Sequence, residues 1–422
     1  MLENNMKKIF CQIITIGDEI LFGHILDSNA QWLSFELDKI GIITKKRVTI
    51  GDNKKDILET LKNSINSNDI IIMTGGLGPT NDDITKNCLS EFFNSTLTLN
   101  EEALNDIKNL FEKRNLELTK KNISQAYLPK CAKKITNING TAPGIWIEKN
   151  QKIIISLPGV PFEMKEIMKN KCLISLKNKF KLPVIYHKII KTIGIGESWL
   201  ADKIQVWENN LDKNIKLAYL PSIGQVKLRL TTSGKNIISL KKNINKEIEK
   251  IKPTIEKYIY GYDDENIEYS ISKLLINKKK TIAIAESCTG GLLSHKLTSI
   301  SGSSKYFLGS IVCYDNNIKK NELNISQKKL DTYGAVSEEV VKDMAKNIRN
   351  KYNSSIGLAT SGIAGPSGGT KNKPVGTVFI AYSDSKNTIS KKLLLTRERY
   401  LNNELTCLNI LNMIRLKLLK YI

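Results

Sequence analysis

The chain has 422 residues, enough for two or three domains. Hydrophobic residues make up 41% and charged residues 25%, values of an ordinary globular protein that exclude a disordered, collagen-like or coiled-coil chain. The net charge of +22 invites a nucleic-acid reading, but the excess is lysine spread along the chain among Asn and Ile, and Arg occupies only seven positions, so solvated faces are the favoured explanation.

No stretch approaches the roughly 18 apolar residues of a membrane span, and the N-terminal residues carry no apolar run before a small-residue cleavage site. A membrane protein and a signal peptide are therefore not expected. The seven cysteines are scattered without a C-x-x-C pair, which predicts free thiols in a reducing cytoplasm. With only three histidines, chemistry has to rest on carboxylates, hydroxyls, lysine and backbone amides.

In chain order, KKIFCQIITIG reads as a strand and SNAQWLSFELDKIG as an amphipathic helix ending at Gly41. Strand ITKKRVTI, helix KKDILETLKNSINS and strand DIIIMTGG continue a βαβαβ rhythm that predicts a parallel sheet with covering helices. A helix near 101–115, strands near 145–149 and 152–157 and a helix from Phe162 follow. Residues 180–255 change character, with two strands and a Lys-rich helix, and read as a small α+β module. The last block, from NIEYSISKLLINKKK onward, alternates again and predicts a second, separate α/β domain.

Four turns carry candidate chemistry. Thr74-Gly75-Gly76-Leu77-Gly78-Pro79-Thr80-Asn81-Asp82-Asp83 follows an apolar strand and precedes a helix. Glycines let backbone approach a phosphate, and the paired carboxylates offer oxygen ligands to Mg²⁺; a turn capped by Asp82 is the alternative. Asp18 and Glu19 end the first strand, and in a parallel sheet ligands bind beyond such ends. Ala285-Glu286-Ser287-Cys288-Thr289-Gly290-Gly291 is another strand-turn-helix. Ser287 there is a candidate nucleophile facing helix N-terminal amides, against plain capping by Ser287 or Thr289; Cys288 is a second candidate, and His295 reads as a surface residue. In Tyr314-Asp315-Asn316-Asn317-Ile318-Lys319 the lysine, if desolvated, is a candidate base. The loop from Thr360 through Ser361, Gly362, Ile363, Ala364 and Gly365 to Gly369 is glycine-rich and suited to a phosphate or ribose.

Taken together these stretches resemble the CinA family over essentially the whole chain. The segments IGDEILFGHILDSNAQWLSFELDKIG, TGGLGPTNDD, GTAPGI and LPGVPFEMK resemble a molybdopterin-binding-like domain; AESCTGGLLSHKLTSISGSS, YDNNIKK, YGAVSEEVV, SGIAGPSGGT and KPVGTVFIA resemble the nicotinamide mononucleotide (NMN) deamidase domain. The resemblance implies domains at 1–170, 171–258 (a small KH-like module) and 259–422. It implies hydrolysis of the NMN amide without a cofactor, with Ser287 as nucleophile, Lys319 as base and Tyr314 as helper. Glu286, Thr289, Gly290, Gly291, Ser361 to Gly365 and, near a departed G-D-R motif, Arg397 are the expected substrate contacts. For the N-terminal domain it implies metal-dependent hydrolysis of ADP-ribose, with Asp18, Glu19, Asn29, Asp82 and Asp83 around a divalent cation and Gly75, Gly76, Gly78 and Thr80 against the substrate. The expected partners are these nucleotides and a second copy of the chain. The alternative is a competence-associated binding protein with one or both sites vestigial, holding a pterin or nucleic acid.

Overall fold

A computed structural model describes residues 8–422; the preceding N-terminal residues lie outside it. The chain forms two compact units, Met1–Tyr186 with Ser233–Lys241, and His187–Thr232 with Lys242–Ile422. Among the described residues no helix is long and apolar enough to cross a membrane. All seven cysteines are free, and only Cys131 is exposed.

The first unit is built on β1 (Ile9–Ile16), β2 (Ile42–Ile50), β3 (Ile70–Thr74), β4 (Leu97–Leu99), β5 (Tyr127–Pro129), β6 (Lys133–Ile135), β7 (Gly144–Lys149) and β8 (Lys152–Leu157). Six of these make one sheet in the order β2-β1-β3-β8-β7-β6, with β4 and β5 paired apart. The first four run parallel; β7 and β6 are antiparallel. Strand β1 is dominated by β-branched residues because both its faces are covered. Ile9, Cys11 and Ile13 pack with Leu33 and Leu37 of helix Ser28–Lys39, while Ile14 and Ile16 pack with Ile57 and Leu61 of helix Lys54–Ser67.

The second unit holds two sheets. Strands β9 (Val184–Ile193), β10 (Lys216–Ser222), β11 (Gln225–Gly234) and β12 (Ile259–Tyr262) form one in the order β10-β11-β9-β12. The other, β13 (Ile282–Glu286), β14 (Phe307–Val312), β15 (Ile356–Gly362), β16 (Thr377–Ser383) and β17 (Thr388–Leu394), is ordered β14-β13-β15-β16-β17. Its first three strands are parallel and β16 and β17 antiparallel. Ile282 and Ile284 face helices Ile267–Asn277 and Arg399–Leu418; Ala283 and Ala285 face helix Glu338–Lys351, where small residues admit a close helix.

The expected α/β domains with an α+β module between them are therefore present. Strands β4, β5 and β6 were not anticipated, being three residues each. The periodicity reading also missed β10, β17 and helix Glu197–Asn209. In β17 the exposed lysines of TISKKLL hide the alternation.

Arg415, on the last helix, is 1% exposed and donates to the carbonyls of Lys257 and Ile259 and to Asn412 Oδ1. Burial pulls its pKa down to about 10. Among the described residues no acid pairs with it, and carbonyl dipoles hold the charge. Arg415→Ala leaves those carbonyls unsatisfied and should cost about 2–4 kcal/mol, read as a lower denaturation midpoint of the full chain.

Candidate active sites

In the second unit Glu286 is in register with Val312 on one side and Thr360 on the other, so three parallel strands end level. Ser287, Cys313 and Ser361 are the next residues on each. The Glu286 carboxylate is fully buried and accepts from the Thr289 hydroxyl (2.6 Å), the amides of Gly291 (3.0 Å), Leu293 (3.1 Å) and Ser294 (2.8 Å), and the Ser294 hydroxyl. Gly290 and Gly291, at φ +59° and +100°, fold the chain back so that helix Leu292–Thr298 starts over this carboxylate. The cap is thus Glu286, not Ser287 or Thr289. Thr289 instead bridges Glu286 to the Thr360 hydroxyl at 2.8 Å.

Ser287 is 9% exposed, its amide bonded to the Thr360 carbonyl at 3.0 Å, and its hydroxyl makes no hydrogen bond with the described residues. Lys319 comes from helix Asn316–Leu323, which Asp315 caps through the Asn317 amide. It is 1% exposed, and its amine donates to the carbonyls of Cys313 (2.8 Å) and Tyr314 (2.9 Å). Burial lowers its pKa, opposed weakly by Asp315. The Cys313 amide in turn bonds the Glu286 carbonyl, tying the lysine's anchor to the strand that carries Ser287. No direct Ser287–Lys319 hydrogen bond forms among the described residues. Burial pushes the Cys288 thiol up to about 12, which removes it as a competing nucleophile near neutral pH. His295 is exposed on its helix, as expected.

Two expectations need correction. The Gly290 amide bonds the Ser287 carbonyl and the Gly291 amide bonds Glu286, so neither is free to hold an oxyanion. Beside Ser287 the amides of Cys288 and Thr289 bond no backbone or side-chain acceptor of another residue among the described residues. Arg397 is exposed and makes no side-chain bond with the described residues. The arginine at the site is Arg399, which donates to the Gly365 carbonyl (3.0 Å) and the Tyr314 hydroxyl (2.6 Å). The Ile363 amide donates to the Thr377 carbonyl, the Ile363 carbonyl accepts from the Gly376 amide, and the Ala364 carbonyl accepts from Asn402, so the Ser361–Gly365 loop is anchored on both sides. Ser361 is buried and donates to the Ala335 carbonyl, while the amides of Ala364, Gly365, Ser367 and Gly368 stay free of partners among the described residues.

The first unit carries a cavity of about 470 Å³ along the carboxyl ends of its parallel strands. Glu19, Asn29, Gly75, Gly76, Gly78, Asp82 and Asp83 line it, as do Asp27, Asp52, Gln125 and Glu163, which sequence reading missed. A Cβ at Gly75 would lie 2.1 Å from the Ile16 carbonyl oxygen, so only glycine fits there. The amides of Gly76, Leu77 and Gly78 have no partner among the described residues. Asp18 does not line the cavity; its carboxylate lies against Gly51. Thr80 is also outside it, donating from amide and hydroxyl to Asp83 and so occupying that carboxylate. Helix Thr85–Phe92 has no side-chain cap, so Asp82 is not a capping residue. Burial raises the Asp52 pKa, reinforced by Asp18, Glu19 and Asp82. Asp52 follows β2 at the same sheet end as Glu19, and the strand-end rule would have found it.

Among the described residues no three His, Cys, Asp or Glu side chains converge on a metal position. The buried Asn29 Oδ1 is unpartnered; its amide nitrogen donates to Thr74 Oγ1 and the Gly159 carbonyl, which fixes the oxygen as a vacant acceptor. Glu19 and Asp82, lining the same cavity, are the one or two carboxylates that suffice for Mg²⁺ when ligand phosphates supply other oxygens, and Asn29 Oδ1 is a further acceptor beside them.

Because Glu286 satisfies five donors at once, Glu286→Ala should cost about 3 kcal/mol or more and loosen the Ser287 turn. A lower melting temperature together with lost C-terminal-site activity checks this.

Three family models match: the probable molybdopterin binding domain over residues 12–178, the damage-inducible protein CinA KH domain over 187–261, and the CinA C-terminal domain over 264–418. A CinA-like protein of Cytophaga hutchinsonii is 48% identical across 97% of this chain and 98% of its own length. Those of Flavobacterium psychrophilum and Amoebophilus asiaticus are 46% and 41% identical, covering 90% and 96% of this chain and 91% and 99% of their own. Two α/β domains flanking an α+β module, with matches running nearly end to end, leave one assignment: the chain belongs to the CinA family.

Proposed function

We propose that the second unit is an amidohydrolase that converts NMN to nicotinic acid mononucleotide and ammonia. One observation carries this reading: Lys319 is buried with its amine held only by two neutral carbonyls, at the strand ends that present an unbonded serine. A lysine without an acid partner and with a lowered pKa supplies the neutral amine that a base requires.

Ser287 Oγ attacks the carboxamide carbon and its proton passes to Lys319 Nζ, directly or through one water. The amides of Cys288 and Thr289 receive the oxyanion. Collapse breaks the C–N bond, and Lys319 returns the proton to the departing ammonia. Water then attacks the acyl-serine as Lys319 takes its proton; collapse breaks the ester bond to Ser287, Lys319 returns the proton to Ser287 Oγ, and the acid product leaves and ionises to the carboxylate. The free amides of the Ser361–Gly365 loop and the Arg399 guanidinium suit the mononucleotide phosphate.

A second reading concerns the first unit, where free amides of Gly76–Gly78 face several carboxylates in one cavity. We infer a divalent cation held by Glu19, Asp82 and Asn29 with a nucleotide diphosphate, ADP-ribose being the favoured substrate. When bound, the cation neutralises phosphate charge against the acidic walls; Gly76–Gly78 orient the phosphate.

Ser287→Ala and Lys319→Ala should each lower ammonia release from NMN by several orders of magnitude, and the double variant should be hardly worse than either. Cys288→Ala should stay within a few-fold of wild type. Because a Lys base works when neutral and burial lowers its pKa, the wild-type rate should rise with pH through an ionisation below the ordinary lysine value of about 10.4. Unchanged kcat in Lys319→Ala, with only KM raised, would assign the lysine to phosphate binding instead.

Chelation with EDTA, or Asp82→Asn combined with Asp83→Asn, should lower ADP-ribose hydrolysis at least tenfold and leave ammonia release from NMN within about twofold. Loss of both activities in a folded variant would contradict two independent sites.

A further inference from the structure

Gln125 is 1% exposed and lines the N-terminal cavity, yet neither Nε2 nor Oε1 has a hydrogen-bond partner among the described residues. A buried carboxamide left wholly unpaired is expensive, about 1–3 kcal/mol per group, and such groups persist where a ligand completes them. The residue is not loosely held. It closes the short helix Lys120–Ser124, its amide bonds the Asn122 carbonyl, and Lys86 donates to the adjoining Ser124 carbonyl at 3.1 Å. Lys86 belongs to helix Thr85–Phe92, which starts directly after the Asp82–Asp83 turn, so Gln125 is fixed to the element that carries the phosphate loop.

Strand order sets the reach of the cavity. Asp52 follows β2 and the lining residues Thr141 and Ala142 precede β7, four strand steps away. At about 4.8 Å per step the span is about 19 Å, the length of an extended dinucleotide-like molecule. Most of the carboxylates and the free amides of Gly76–Gly78 gather toward β1, β2 and β3, whereas Ala142, before β7, provides apolar wall.

We propose that Gln125 is the specificity-determining residue of this cavity, its carboxamide pairing with a heterocycle that presents a donor and an acceptor on adjacent atoms, as adenine does. The amide nitrogen donates to the ring nitrogen and the amide oxygen accepts from the exocyclic amine, the bidentate arrangement that suits Gln and adenine. This assignment rests on the first unit being a nucleotide site and names the base it prefers.

The test is calorimetric binding of ADP-ribose and of its guanine counterpart to the full-length protein, wild type, Gln125→Leu and Gln125→Glu, with hydrolysis and NMN deamidation followed separately. Wild type should prefer the adenine ligand by about tenfold or more, the discrimination of one bidentate pair. Gln125→Leu should lose that preference, with an unchanged or raised melting temperature, because an unsatisfied amide has been replaced by an apolar group of similar size. Gln125→Glu, which can only accept when ionised, should shift the preference toward guanine, whose edge offers adjacent donors. An adenine-to-guanine ratio that is the same in all three proteins would overturn the assignment even if ADP-ribose were hydrolysed normally. A preference that follows Gln125 while ADP-ribose is bound and not cleaved would uphold it and remove the hydrolase reading instead.

Discussion

The C-terminal site is organised by one buried carboxylate. Glu286 ends β13 inside the protein and gathers the first amides of the next helix, together with two hydroxyls. Helix amides and a carboxylate attract one another strongly, so this contact fixes where the strand stops and how the turn runs. It also decides which groups remain for chemistry. Amides that would otherwise face a ligand are consumed, and the next residue, Ser287, is left with an unbonded hydroxyl beside the free amides of Cys288 and Thr289. The environment of Ser287 is set by what its neighbour removes as much as by what it supplies.

Both units present their sites at the carboxyl ends of parallel strands, but the chemistry gathered there differs. The second unit buries a cation with dipoles only, a setting that favours the neutral amine. The first gathers carboxylates and free amides around a cavity, a setting that needs a cation or an anionic ligand to balance it. The same layer architecture thus hosts opposite electrostatic problems, which follow from the loops and not from the sheets.

Much of this was legible in sequence because it depended on short, local patterns. The βαβαβ rhythm came from strands whose faces are both covered, and the strand-turn-helix motifs placed Ser287 and the Gly75–Asp83 turn; Lys319, which reads as part of a polar loop after a strand, sits on helix Asn316–Leu323. What escaped depended on contacts distant in sequence. Arg399 meets Gly365 and Tyr314 only after the last helix packs on the sheet at β16, and nothing in the Leu395–Arg399 stretch distinguishes it from Arg397. Gln125 closes an unremarkable polar helix, and what sets it apart is a buried side chain without a hydrogen-bond partner among the described residues, which no sequence pattern reports. The resemblance implies a substrate contact at Glu286, and its capping role is not visible in the sequence because a carboxylate five to eight positions upstream of the amides it holds falls outside the usual spacing.

The strand orders give the lysine excess another meaning. Edge strand β2 carries Lys45, Lys46 and Arg47; the opposite edge, β6, carries Lys133 and Lys134. In the other sheets β10 has Lys216 and Pro221, and β17 has Lys391 and Lys392. An open sheet edge is a template on which another chain can add a strand, and lysine or proline there opposes such pairing through charge or a missing donor. An Ile-rich protein with three open sheets carries a standing hazard of edge-to-edge aggregation. Basic residues on four of those edges oppose such pairing, although Lys134 is already paired with Asp106 and Glu102, so part of the positive charge lies where it works against self-association.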